Sequence, residues 1–181
     1  LLRNIRGLGY RDKIIHYVGM SHFMRLKNFN GELLVDPDVP LGLPGTRWNL
    51  TYFKECASQG YEPIVSLSYE LFAEYCPDAW RQLAHDGTPA ETGWVPPSTL
   101  LSPANPDAMD WLKAVAELFV GLLKVAGLPI RFQIGEPWWW VTPDRKICLY
   151  DAASQAAFGG SPPVIEEIET ARVRGGLFLD P

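Results

Sequence analysis

Three short segments of the chain are almost continuously apolar and rich in β-branched or aromatic residues: Lys13 to Val18 (KIIHYV), Pro63 to Leu67 (PIVSL) and Ile130 to Ile134 (IRFQI). They lack the clean alternation of a strand with one wet face. That pattern predicts strands covered on both sides, as in a parallel sheet. Between them the apolar period lengthens to that of a helix. Asn49 to Gln59 puts Leu50, Phe53, Cys56 and Ala57 on one face and stops at Gly60. A second helix is expected over about Pro77 to Ala84, opened by a proline suited to a first turn.

The most fully specified helix is Pro106 to Ala126. Asn105 can accept hydrogen bonds from its first free amides, Pro106 fits the first position, and Asp107 and Asp110 suit the positive end of the dipole. Trp111, Leu112, Val115, Leu118, Phe119, Leu122 and Leu123 form a broad apolar stripe, closed by Gly127 and Pro129. Further on, Asp151 to Phe158 reads as a helix ending at Gly159-Gly160. Another is expected from Pro162 to about Val173, capped by Ser161.

Strands alternating with helices predict a βαβ series around a parallel sheet, and so an α/β fold. No GxGxxG follows any strand, and the glycines of Arg6-Gly-Leu-Gly9 come before the first one, which removes the dinucleotide-binding reading. Two long Pro- and Trp-rich connections, Met20 to Trp48 and Asp86 to Asn105, both follow strands. Large loops after strands are what a (β/α)8 barrel displays on its C-terminal face, so the barrel is favoured over an open doubly wound sheet. In that fold Val18, Leu67 and Ile134 lie on neighbouring parallel strands with the Pro106 to Ala126 helix outside. A full barrel takes about 250 residues. The 181 residues here are therefore expected to form a single TIM-barrel-like domain that is part of a barrel cut from a longer chain.

Composition narrows the partners. Nearly half the residues are apolar, enough for one sizeable core, and the formal charge of −5 provides no basic stripe to neutralise nucleic-acid phosphates. Apolar runs are broken well short of a membrane span, and no signal peptide is visible. Cys56, Cys76 and Cys148 are too scattered for a disulfide or metal framework and read as packed thiols. His16, His22 and His85 show no metal-ligand spacing, so neither metal nor cofactor is expected.

Candidate chemistry gathers at the C-terminal ends of the three strands. The third runs into Gly135-Glu136-Pro137 and then Trp138, Trp139 and Trp140. A carboxyl beside a wall of indoles suits a site where a sugar ring stacks and a glycosidic oxygen is protonated. Apolar surroundings there would raise the glutamate's pKa toward that of a general acid. Glu136 is the candidate acid/base. His22 and Tyr69, from the first two strand ends, are expected to face the same cavity as sugar contacts, with Trp94 closing from the second long loop. Retaining hydrolysis also needs a second carboxyl roughly 5 Å away. Only Glu70 and Asp151 are available; Glu70 reads as the start of a helix and Asp151 as a helix cap, so the piece is expected to be catalytically incomplete.

Gly135-Glu136-Pro137 resembles the Asn-Glu-Pro at the end of the fourth strand in the retaining glycoside hydrolase clan with (β/α)8 barrels, in which the glutamate is the acid/base. Gly135 replaces the asparagine. A closer likeness covers roughly Lys13 to Gly160. Its markers are Ile15-His-Tyr-Val-Gly-Met-Ser-His22, Val65-Ser-Leu-Ser-Tyr-Glu70, the stretch from Thr92 to Asn105 and Arg131 to Trp140. Together these resemble the glycoside-hydrolase-like TIM-barrel domain of phage and prophage tail proteins, in particular the non-contractile tail sheath family. The resemblance implies a virion structural component made in the host cytoplasm. Its partners would be other tail subunits, and its strand-end site would be a retired or repurposed carbohydrate-binding one.

Overall fold

A computed structural model describes residues 1–19, 22–68, 70–134, 142 and 144–165. A short helix α1 (Leu2–Gly7) leads into strand β1 (Asp12–Val18), followed by a hairpin of β2 (Leu26–Phe29) and β3 (Glu32–Val35). Helix α2 (Leu43–Gln59) returns the chain to β4 (Tyr61–Leu67). A brief strand β5 (Glu70–Phe72), two 3₁₀ turns (Ala73–Tyr75 and Asp78–Trp80) and strand β6 (Ser98–Leu100) precede helix α3 (Pro106–Val125). Strand β7 (Phe132–Ile134) and helix α4 (Ala152–Phe158) complete the described elements.

The three apolar segments form one parallel sheet in the order β1-β4-β7. Its register aligns Val18 with Leu67 and Leu67 with Ile134, so the three strands end level. Side chains alternate across the sheet. His16, Val18, Val65 and Leu67 turn toward the helices and are buried with Phe53 of α2 and Trp111, Val115, Phe119 and Leu123 of α3. The opposite row is open on the outer strands, with Ile15 62% and Tyr17 50% exposed and Gln133 exposed as well, whereas on the central β4 Ile64 is half-buried and Ser66 buried.

Helix α3 follows its pattern closely. The Asn105 side chain accepts a hydrogen bond from the Ala108 amide, and the expected stripe is buried except for half-buried Leu118. Helix α4 is capped as expected, its Asp151 carboxylate accepting from the Ser154 amide at 3.0 Å. Residues 161–165 carry no helical turn, and the rest of the helix expected there lies outside the described residues.

Helix α2 begins six residues earlier than the pattern predicts, inside the stretch read as loop. Gly45 sits in its first turn because Phe23 packs there: a Cβ would come within 3.0 Å of the phenyl Cδ1. The buried stripe runs through Asn49, Phe53 and Cys56, and Ala57 is exposed. Asn49 is buried because it pairs with His16 of β1. Its Nδ2 donates to the Gly45 carbonyl at 2.9 Å, which leaves Oδ1 to accept from His16 Nε2 at 2.7 Å. The imidazole lies among Trp48, Tyr52 and Phe53, and burial lowers its pKa.

The helix expected over Pro77 to Ala84 does not form. After one 3₁₀ turn the chain runs extended, with Arg81 bridged to Leu101 and Leu83 to Pro89. Trp80, Gln82 and Ala84 alternate inward with a period of two. Gln82 bonds twice to the strand opposite, through its amide to the Leu100 carbonyl and through Nε2 to that of Leu101. Glu70 likewise starts no helix: β5 pairs antiparallel with β6, Glu70 opposite Leu100. These pieces make an antiparallel arm after β4. The segment leading into α4 packs on it, through Cys148 beside Ala84, Ala90 and Leu100, and through Lys146 Nζ at 2.6 Å from Asp86.

Two measurements test this packing. Leu123→Ala, at a fully buried site on α3, should destabilise the protein by about 2–5 kcal/mol. Leu118→Ala, half-buried, should cost about 1 kcal/mol. Equal losses in urea titrations of the two would show that the helix is rotated from this orientation. The second concerns His16. Its folded pKa lies below the unfolded value near 6.5, so the unfolded chain binds more protons as the solution is acidified. Stability from this group is fully present above about pH 6.5 and is lost as pH falls toward the depressed folded pKa. His16→Gln should flatten the urea midpoint between pH 7.5 and pH 5; an unchanged slope would remove His16 as the cause.

Candidate functional site

Strands β1, β4 and β7 end level at Val18, Leu67 and Ile134, and in the chain these ends are followed by the candidates His22, Tyr69 and Glu136. The Ser68 amide donates to the Val18 carbonyl at 3.1 Å, extending the pairing of β1 and β4 one step past the strands. Ser68 is fully buried, and its hydroxyl has no hydrogen-bond partner among the described residues. That residue was not singled out from sequence, since a serine after a strand carries no distinguishing signal.

His22 lies directly over the end of β1. Its amide donates to the Gly19 carbonyl at 3.1 Å, and its ring stands so close that a Cβ on Gly19 would meet Nδ1 at 3.0 Å. The ring is exposed, with Phe23 at 6.5 Å on its own loop and Phe72 of β5 at 6.1 Å. The loop after the first strand and the elements after the second therefore meet at this histidine. Beside it, His22, Phe23, Met24, Gly42, Gly45 and Trp48 line an open hollow of about 390 Å³. Trp48 stacks on Tyr52 with ring planes 3° apart and on Phe23 at 5.9 Å. The i, i+4 spacing of Trp48 and Tyr52 was the available sign of this aromatic row. Reading Trp48 as the end of a loop concealed it.

Trp94, expected to close over the site from the second long loop, is found on the antiparallel arm. It sits at the tip of the antiparallel arm, 57% exposed, and none of the ring contacts of His22 involves it. The arm closes on itself through the Thr92 amide to the Ser98 carbonyl and the Ser98 amide to Thr92 Oγ1, each at 2.8 Å. That pairing holds the tip out in solvent. Tyr69, Glu136, Trp138, Trp139 and Trp140 lie outside the described residues.

Of the two carboxylates available as a second catalytic group, Asp151 is committed to structure. It is buried, caps α4 and accepts from Ser102 Oγ at 2.8 Å and Ser154 Oγ at 2.7 Å. Glu70 is half-buried on β5. Among the described residues no group of His, Cys, Asp and Glu is placed to hold a metal ion. The three thiols are buried and unpaired, and desolvation pushes Cys76 up to about 12 and Cys148 up to about 11, so neither is a thiolate at neutral pH. No described helix is long and apolar enough to cross a membrane.

No curated protein and no solved structure matches the chain. The family described as the non-contractile tail sheath protein TIM barrel matches residues 1–176, nearly the whole sequence. A parallel β1-β4-β7 sheet backed by α2 and α3 agrees with the α/β character of that family's fold. The chain belongs to the non-contractile tail sheath protein TIM-barrel family.

Proposed function

We propose that this chain is a structural domain of a phage or prophage tail, a sector of a (β/α)8 barrel that works by contact with other tail subunits and not by catalysis. The family match over residues 1–176 carries the reading. The open row of the sheet supports the barrel. Parallel strands are normally covered on both faces, and exposed Ile15 and Tyr17 are the side chains that further barrel strands would enclose.

In this reading the strand-end site is a relic of a sugar-binding one. Glu136 and Trp138 to Trp140, with Tyr69 and His22, serve as a carbohydrate contact or as packing. Three features argue against hydrolysis. Gly135 stands where the resembling hydrolases keep asparagine, Asp151 is bound up as a helix cap, and Glu70 belongs to the β5–β6 pair. A retaining mechanism needs two free carboxyls facing each other across the sugar.

Mass spectrometry of purified particles, together with labelling of the tail by an antibody to this domain, tests the structural role; absence from the particle would overturn it. Glu136→Gln is expected to leave tail assembly and particle yield unchanged. Wild-type protein is expected to release no reducing sugar from polysaccharides or aryl glycosides. Release that falls by about 10²- to 10⁴-fold in Glu136→Gln, the usual worth of positioned acid–base catalysis, would establish a hydrolase instead.

A further inference from the structure

The hairpin of β2 and β3 turns on two residues, Asn30 and Gly31, between the paired Phe29 and Glu32. Both have positive φ, 55° at Asn30 and 101° at Gly31, the mark of a type I′ turn, whose twist suits a two-residue hairpin. Glycine adopts that region freely, and asparagine enters it more readily than most side chains, so this pair is what the turn requires. The pair also sets a carboxamide beside the one residue type with no side chain to shield its backbone nitrogen. Asn28, Asn30 and Gly31 are all exposed to water.

Such a pair has a chemistry of its own. Once the Gly31 amide loses its proton, its nitrogen can attack Asn30 Cγ. The new N–Cγ bond closes a five-membered imide, the Cγ–Nδ2 bond breaks, and that nitrogen takes up the proton and leaves as ammonia. Water then opens the ring at either carbonyl. The product is aspartate or, where the main chain comes to run through the side chain, isoaspartate. In sum, one amide and one water become one acid and one ammonia.

Two features of the turn oppose the first step. The Gly31 N–H donates to Asn28 Oδ1 at 2.8 Å, so the nitrogen that must attack is held by a side chain two residues before Asn30. The left-handed backbone at Asn30 fixes the peptide plane that carries this nitrogen, and the plane must rotate out of the turn before it faces Cγ. Closure of the ring therefore requires the tip to open first. The base of the hairpin is held separately. There the Asp36 amide donates to the Arg25 carbonyl at 2.8 Å, and Arg25 Nε lies 3.3 Å from the Asp36 carboxylate.

From this geometry we infer that Asn30 is a site of spontaneous deamidation and that Asn28 governs its rate. While the tip is closed Asn30 stays an amide, and each opening exposes it to conversion. Isoaspartate adds a backbone carbon between Phe29 and Glu32, so their register cannot be kept, and either product sets a new negative charge near Glu32. Both effects loosen the turn. Conversion is thus an irreversible record of opening, written into the stretch of chain that joins His22 to helix α2.

The test holds the whole chain and a peptide of residues 26–35 at the same mildly alkaline pH. It follows the amide-to-acid mass shift at Asn30 and detects isoaspartate by enzymatic methylation. The folded chain should convert at least about tenfold more slowly than the peptide, as a reaction that needs local opening must. Asn28→Leu removes the acceptor and should raise the folded rate roughly two- to tenfold, the worth of one hydrogen bond. Asn28→Asp keeps an oxygen for the Gly31 amide and should retain the slow rate. A peptide that does not convert, or a folded chain that converts as fast as the peptide, would overturn the site. Asn28→Leu at the wild-type rate, or Asn28→Asp as fast as Asn28→Leu, would overturn the role of Asn28.

Discussion

Parallel strands cannot be joined by a tight turn; the chain must cross back over the sheet before it can pair again. The central sheet of this protein is built by meeting that requirement twice. From β1 to β4 the crossover is α2, and from β4 to β7 it is α3. Both helices bury their apolar faces on the same side of the sheet, where Phe53 and Phe119 meet edge to face at 6.3 Å over Val18, Val65 and Leu67. The level register of the three strand ends is a consequence, and it places His22 and Ser68 at one edge of the sheet.

Meeting this requirement on one side leaves the other side unfinished. Ile15 and Tyr17 stay exposed on a sheet whose sequence is apolar enough to be covered twice. Burial of such side chains is worth about 25 cal/mol per Å² of apolar area, a stabilisation that exposed Ile15 and Tyr17 forgo. The accessory arm has its own small core around Cys148, Ala84, Ala90 and Leu100, independent of the sheet. It can carry an exposed apolar tip because its own pairing, and not that tip, holds it together.

The strand ends show how a fold can position side chains without deciding what they do. A barrel mouth positions side chains from several strand ends whether or not they react, so fold alone does not decide activity. Here Asp151 lies in the hydrogen-bonded ground state of a helix cap, and Ser102 and Ser154 occupy its oxygens. An acid/base pair needs both carboxyls turned toward the same open space.

What could be read from the sequence was whatever is encoded locally. The three strands declared themselves as continuous apolar runs. Helix α3 was legible from its cap, its proline and its stripe because each works within a turn or two of chain. The same holds for α4 and its Asp151 cap. The antiparallel arm was not legible, since β5 and β6 are three residues each and owe their form to pairing across a gap of twenty-five residues or more. Pro77 suggested a helix, and only the partner strand at Leu100 and Leu101 drew Gln82 into an extended conformation. The start of α2 was hidden for a related reason. Gly45 looks like a breaker until Phe23 is seen packed against it, and Asn49 looks like a surface residue until His16 is seen to need its oxygen. Periodicity and capping act within a few residues, whereas strand pairing and buried hydrogen bonds join residues far apart in the chain, so only the tertiary structure decides them.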